Sequence, residues 1–346
     1  MGTLDKSSNP EVRITPDRLF QPHISVLGRT GSGKSYFVKG LSRHIKDRNI
    51  IIFSPTDEYN EVGKKYGIQV LSKQDILLPL KPDFMGSIYN LTLQEEMLLK
   101  KFMTKVSLKE KIFSGEIANQ LKDWVAQGSI VSNKKGKTKQ INLFASEEIL
   151  SEEWEEIKIP NYVNTTLHKL QSKPLYFSNK PMKVLENSLI LDMSEIEQEV
   201  QEIIIRYTLH NILEKYRSKK EGVARPKLLV VIEEVHNFAP TIQTTFCKDK
   251  IIQIAREGRK LGINLCLLSQ RPRHFDQTVL SQCSNLFLFH IPHPDDVNHV
   301  FSVSPFYSGN YVELVQRLDV GKCLIVGNVF RYPIVCSVSF ENTMNV

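Results

Sequence analysis

Short apolar runs recur along this chain, separated by stretches of helical or polar character. After ISVLG at residues 24 to 28 come NIIIFS (49 to 54), SIYNL (87 to 91), NSLILDMS (187 to 194), KLLVVIEE (227 to 234), INLCLLSQ (263 to 270), NLFLFHI (285 to 291), KCLIVG (322 to 327) and YPIVCSVSF (332 to 340). The runs are nearly continuous rather than alternating, which predicts strands covered on both faces. With helices between them, such as one over about 34 to 47, they predict an α/β fold: a mainly parallel sheet covered by helices. Ligands of such a sheet gather at the carboxyl ends of its strands, where Gly28, Glu233 and Gln270 all fall.

Residues 92 to 186 differ in character. A capping box, Thr92 to Glu95, precedes the helix LQEEMLLKKFMTKV. The segment SNKKGKTKQ follows, and then an acidic run with Glu147, Glu148, Glu152, Glu153, Glu155 and Glu156. We expect a mostly helical insertion in one core, which divides the chain into a short extension (1 to 22), a first core part (23 to 91), the insertion (92 to 186), a second core part (187 to 341) and a tail (342 to 346).

Two of the strand ends carry chemistry. Residues 24 to 35, ISVLGRTGSGKS, hold the pattern G-x-x-x-x-G-K-S between a strand and an amphipathic helix, the context in which it binds nucleotide phosphates. The run Gly28, Thr30, Gly31, Ser32, Gly33, Lys34, Ser35 and Tyr36 is the expected phosphate loop. Its glycines let consecutive N–H groups curl around a phosphate at a helix N-terminus, Lys34 reaches the β- and γ-phosphates, and the Ser35 hydroxyl ligates Mg²⁺. The second end, KLLVVIEEVHNF, drives a buried strand into two adjacent carboxylates. Like charges at one strand tip resist desolvation unless a cation faces them. ATP with Mg²⁺ resolves this: Glu233 would hold the metal through its water shell, and Glu234 would orient and deprotonate the attacking water.

Composition narrows the function. A net charge of +7 and a pI near 9.0 favour a polyanionic partner, nucleic acid or acidic membrane. No run approaches the roughly 18 apolar residues of a membrane span, and MGTLDKSSNP lacks the apolar core of a signal peptide, so an intracellular, cytoplasmic protein is expected. Five scattered cysteines, never spaced as CxxC, indicate neither a disulfide framework nor a zinc site. His290, His293 and His299 lack the ligand spacing of a metal site. Lys134, Lys135, Lys137 and Lys139 could neutralise DNA phosphates from a glycine-containing tip, or form a solvated hairpin. A GTPase switch would need Asn-Lys-x-Asp, and neither Asn133 nor Asn179 begins one. A small-molecule kinase usually lacks a second acid at the Glu234 position.

The segments GRTGSGKSY, DEYN, VVIEEVHNFAP, IIQIAREGRKLGINLCLLSQRP, VLSQCSNLFLF and LDVGKCLIVG together resemble the HerA family of DNA translocases, within the HerA/FtsK superfamily of P-loop ATPases. The resemblance runs over about residues 23 to 340 apart from the insertion. It implies a RecA-like core in a hexameric ring that hydrolyses ATP to pump double-stranded DNA, often beside a partner nuclease. It also implies that Gln270 senses the γ-phosphate and that an arginine reaches each site from the neighbouring subunit. Arg256, Arg259 and Arg271 lie in matching segments, with Arg256 and Arg259 close to one helix face. Two departures stand out: family members usually carry a β-barrel ahead of the P-loop, where some 22 residues stand here, and often an acid where this chain has Ser54. A viral or plasmid DNA pump of the same superfamily, for genome packaging or conjugation, is the alternative.

Overall fold

A computed structural model of the protein describes residues 14–21, 23–128, 131–132, 138–139, 161–183, 187–218, 226–303 and 309–338. The chain forms two compact units, one built from Met1–Lys73 with Val184–Val346, the other from Gln74–Lys183.

The first unit is organised by a nine-stranded sheet. In chain order its strands are β1 (Ile24–Leu27), β2 (Asn49–Ser54), β3 (Gln69–Leu71), β4 (Leu189–Asp192), β5 (Leu228–Ile232), β6 (Ile263–Ser269), β7 (Asn285–Leu288), β8 (Lys322–Gly327) and β9 (Ile334–Ser337). In space they run β9-β8-β7-β1-β6-β5-β2-β4-β3. The seven strands from β7 to β3 are mutually parallel, and β8 and β9 are antiparallel additions at one edge. Every residue of β1, β5 and β6 is buried, as their unbroken apolar runs require, whereas β9 alternates between partly buried and exposed positions, as befits an edge. The helix Lys34–His44 packs Phe37, Val38 and Leu41 into a core shared with Ile24, Val26, Ile52, Val231 and Phe287.

The order of the strands matters more than their number. β6 lies between the P-loop strand β1 and the acid strand β5, pairing Leu27 with Ser269 on one side and Leu267 with Ile232 on the other. β2 flanks β5 on its far side, with Phe53 beside Ile232. The carboxyl ends of four adjacent strands thus converge at one end of the sheet.

The second unit holds the helices Pro82–Tyr89, Leu93–Lys105, Ser114–Gly128 and Asn161–Ser172 and a three-stranded sheet of Leu77–Pro79, Tyr176–Ser178 and Lys111–Phe113. The capping box forms as expected: the Glu95 N–H donates to Thr92 Oγ1 at 3.4 Å and the Thr92 N–H to Glu95 Oε2 at 2.6 Å. The run SIYNL, expected as a core strand, is instead the end of the helix Pro82–Tyr89. Pro82 opens that helix, Met85, Ile88 and Tyr89 bury one helical face, and Asn90 closes it in the left-handed conformation, so helical signals on both sides override a short apolar run. The second unit accordingly starts at Gln74, ahead of the boundary expected at 92. Of the lysine cluster, Lys134, Lys135 and Lys137 lie outside the described residues, as does the acidic run, and only the backbone of Lys139 is described.

Candidate active site

The phosphate loop leaves β1 at Gly28, whose added Cβ would come within 2.7 Å of Phe289 Cβ, so only glycine lets the loop lie this close to the sheet. Gly31 and Gly33 adopt φ of 75° and 116°, values that favour glycine, and Gly33 caps the helix that Lys34 begins. Lys34 is buried, and its Nζ donates to the Arg29 carbonyl at 3.0 Å, leaving two further N–H donors for an anion. Burial lowers its pKa, and the carboxylates of Glu234, Glu233 and Glu58 act against that shift. Ser35 is partly buried and Tyr36 is 51% exposed at the outer edge of the loop.

Glu233 directly follows β5 and is buried. Tyr59 Oη donates to its Oε1 at 2.6 Å. The Ser54 hydroxyl lies 3.3 Å from Oε2 and 2.6 Å from the Thr56 carbonyl. Its single proton favours the shorter contact. Burial raises the Glu233 pKa to about 7 against the pull of the Tyr59 and Ser54 hydroxyls, with Glu58 and Glu234 adding to the rise. An acid at position 54 would add another carboxylate beside this one, and serine relieves that repulsion.

Glu234 has φ of 48° and ψ of 41°, the left-handed conformation, in a non-glycine residue. Such backbones are strained by roughly 1–3 kcal/mol and persist where the surroundings impose them. Burial raises the pKa of this carboxyl, opposed chiefly by Lys34 and by a backbone hydrogen bond from Gln270. Its Oε2 is buried without a hydrogen-bond partner. His236 Nδ1 stands 3.3 Å away without making one. Gln270, at the end of the intervening β6, accepts from Thr30 Oγ1 and so ties the phosphate loop to the acid strand.

This arrangement fits Mg²⁺ and a nucleotide. A buried carboxylate oxygen without a partner, a second buried carboxylate, a lysine facing both and an open glycine loop (a Cβ on Gly31 would meet nothing within 4 Å) supply the anion cradle and the oxygen ligands a hard cation takes. Glu233 and Ser35 are the residues that would hold the metal.

The three candidate arginines lie in different places. Arg271 lies close enough to Glu234 and His236 to influence both. Arg256 and Arg259 are exposed on the helix Lys248–Leu261, which enters β6 at its opposite end, and Arg259 is near His23 just ahead of β1. The structure does not bring these two to their own chain's phosphate loop. Sequence reasoning assigned no role to Tyr59 or His236, although both lie in segments that carry the family resemblance. The signal available was position: each follows within a few residues of a strand end that borders the site. His290 and His299 bond the carbonyls of Leu318 and Phe275, and no metal-holding cluster of His, Cys, Asp or Glu occurs among the described residues.

The profile of the family described as "Helicase HerA, central domain" matches residues 1–212. The "DNA double-strand break repair helicase HerA" of Sulfurisphaera tokodaii is 29% identical over 356 residues, covering 97% of this chain and 68% of that protein. Its namesake from Saccharolobus solfataricus is 28% identical, with 97% and 68% covered. Among solved structures, VirB4 of Thermoanaerobacter pseudethanolicus superposes with a TM-score of 0.56 at 15% identity, covering 92% of this chain and 90% of that one. The bacterial conjugative coupling protein TrwB gives 0.54 at 12% identity, with 97% and 90% covered. At these identities the two structures speak for the fold alone.

Proposed function

Because the chain belongs to the HerA helicase family, we propose that it is an ATPase that assembles into a ring, a hexamer by resemblance, and spends ATP to move double-stranded DNA. The observation that carries the chemistry is Glu234: a buried, unpartnered carboxylate oxygen held by a strained backbone opposite Lys34. Glu234 takes a proton from water as the water oxygen bonds to the γ-phosphorus and the bond to the β–γ bridging oxygen breaks, releasing ADP. Glu233 and Ser35 would hold Mg²⁺, which when bound would neutralise charge on the phosphates. Lys34 binds the β- and γ-phosphates, and Gln270, joined to Thr30 and Glu234, reports whether the γ-phosphate is present.

The DNA half of the reading is supported by the names of the relatives and by the basic charge of the chain. No described helix is long and apolar enough to cross a membrane. Action in the cytoplasm, with or without a partner nuclease, is part of the same proposal. ATP hydrolysis measured with and without duplex DNA tests it. Lys34→Ala should abolish turnover and weaken nucleotide binding, whereas Glu234→Gln should keep binding and lower kcat by roughly 10²–10⁴-fold. Normal turnover by Glu234→Gln would remove Glu234 from its role, and a rate indifferent to duplex DNA would remove the DNA.

A further inference from the structure

The turns that leave β5 and β6 are joined by a circuit of hydrogen bonds that includes Glu234. Ser269, the last residue of β6, is fully buried, and its carbonyl accepts the Gly28 N–H at 3.2 Å, which anchors it to the start of the phosphate loop. Its hydroxyl oxygen accepts the Arg271 N–H at 3.0 Å and lies 3.1 Å from Nδ1 of His236. The adjacent backbone N–H, that of Gln270, donates to the Glu234 carboxylate. Glu234 and His236 stand two residues apart in one turn, so the circuit runs from Glu234 through His236, Ser269, Arg271 and Gln270 back to Glu234.

The proton positions follow from what each buried group needs. With the Arg271 N–H already on its oxygen, the Ser269 hydroxyl still has a proton to donate, and His236 Nδ1 is the acceptor it meets. The imidazole is then neutral, with its own proton on Nε2. Burial foremost, with the charges of Arg271, His274 and Lys34, holds its pKa down to about 4, which keeps Nδ1 open as an acceptor at neutral pH. Glu234 Oε2, 3.3 Å from Nδ1, takes no bond from this ring. His236 therefore acts on the backbone that carries Glu234 and leaves its free oxygen alone. That backbone is in the left-handed conformation, which a residue other than glycine keeps where surrounding contacts impose it.

We propose that His236 and Ser269 are positioning residues for Glu234: their hydrogen bond locks the turn after β5 onto a strand end fixed to the phosphate loop, so that the Gln270 N–H stays on the Glu234 carboxylate and Oε2 is kept free to take the proton of the attacking water. Neither side chain takes part in the proton transfer itself. This inference rests on the reading of Glu234 as the base of an ATPase and adds what holds that base in place.

The test is ATP hydrolysis by the whole chain, read as kcat and KM separately and expressed per nucleotide-binding site, so that misfolded chains do not count. Ser269→Ala removes the hydroxyl and His236→Leu removes its acceptor. Each should lower kcat about tenfold, the size of one hydrogen bond's contribution, with KM for ATP within about twofold of wild type. His236→Asn sets an amide oxygen near the place of Nδ1, where it can accept from Ser269, and should recover most of the rate lost in His236→Leu. In a Glu234→Gln background Ser269→Ala should cost less than about twofold more, because the base it positions is gone. If His236→Leu yields no folded protein, Ser269→Ala in the two backgrounds decides alone. A wild-type kcat in Ser269→Ala, a His236→Asn protein as slow as His236→Leu, or a tenfold loss repeated in the Glu234→Gln background overturns the proposal and leaves Glu234 as the base. Normal turnover by Glu234→Gln itself removes the base, and this inference with it.

Discussion

Glu233 is held by a tyrosine, approached by a serine and pressed by two other carboxylates, and this environment has a measurable consequence. Its pKa stands near 7 in the folded chain against 4.5 for an unperturbed glutamate, with burial the main cause. Between those values the folded state keeps a proton that the unfolded state has released. Stability contributed by this group therefore falls as pH rises from about 4.5 through about 7. By pH 8 the loss amounts to roughly 3 kcal/mol. In chelator and without nucleotide, Glu233→Gln should unfold at a higher temperature than wild type at pH 8, and the gap should close toward pH 5. Parallel melting profiles across that range would show that Glu233 is solvated. Added Mg²⁺ and nucleotide should narrow the gap from the wild-type side, since the bound cation favours the ionised carboxylate.

At the scale of elements, two helices show how local signals and packing divide the work. The helix Leu93–Lys105 starts where its capping box says, and Glu95 also takes Lys169 at 2.7 Å. Thr92→Ala should cost about 1 kcal/mol and speed hydrogen exchange in the first turn of that helix. Unchanged protection there would mean that packing alone fixes the start. The helix Lys248–Leu261 is positioned by contact instead. A Cβ on Gly258 would come within 2.9 Å of the Ile263 carbonyl, so this glycine sets how closely the helix approaches β6. Ile251, Ile254 and Ala255 are buried, and Arg256 and Arg259 point away from that packed face.

For the molecule as a whole, exposure of those arginines would matter in the proposed ring, where a head-to-tail interface repeated by rotation would set each ATP against a neighbouring subunit. An arginine donated there stabilises charge building on the γ-phosphate. Glu234→Gln protein should be nearly inactive at its own site, and Arg256→Ala, Arg259→Ala protein at its neighbour's. Mixing the two should partly restore hydrolysis, because intact arginines of the first serve intact sites of the second. A mixture that stays inactive although mixed rings form would return both arginines to a structural or DNA-facing surface. DNA binding itself should weaken steeply with salt and ignore sequence, as a grip on phosphates does. If the lysine segment enters that grip, replacing Lys134, Lys135, Lys137 and Lys139 should reduce the salt slope by about one for each phosphate those side chains neutralise.

The phosphate loop and the acid pair were legible because each is a contiguous run whose chemistry depends on its own backbone: glycines ahead of Lys34, carboxylates at the end of a buried strand. The parallel sheet was legible for the same reason, since burial on both faces leaves an unbroken apolar run. SIYNL misleads because a run this short, mixing apolar and polar residues, fits a strand or the end of a helix equally, and the deciding cap, Asn90 in the left-handed conformation, is a matter of backbone geometry. The rest of the site depended on the order β1-β6-β5-β2, which follows no order in the chain. That order sets Tyr59 against Glu233 across 174 residues and Thr30 against Gln270 across 240, and brings Ser269 to His236. Sequence alone supplied the groups proposed to react. Only the folded sheet decided which side chains hold them, because strands adjacent in space are joined by long connections whose sequence does not encode who sits beside whom.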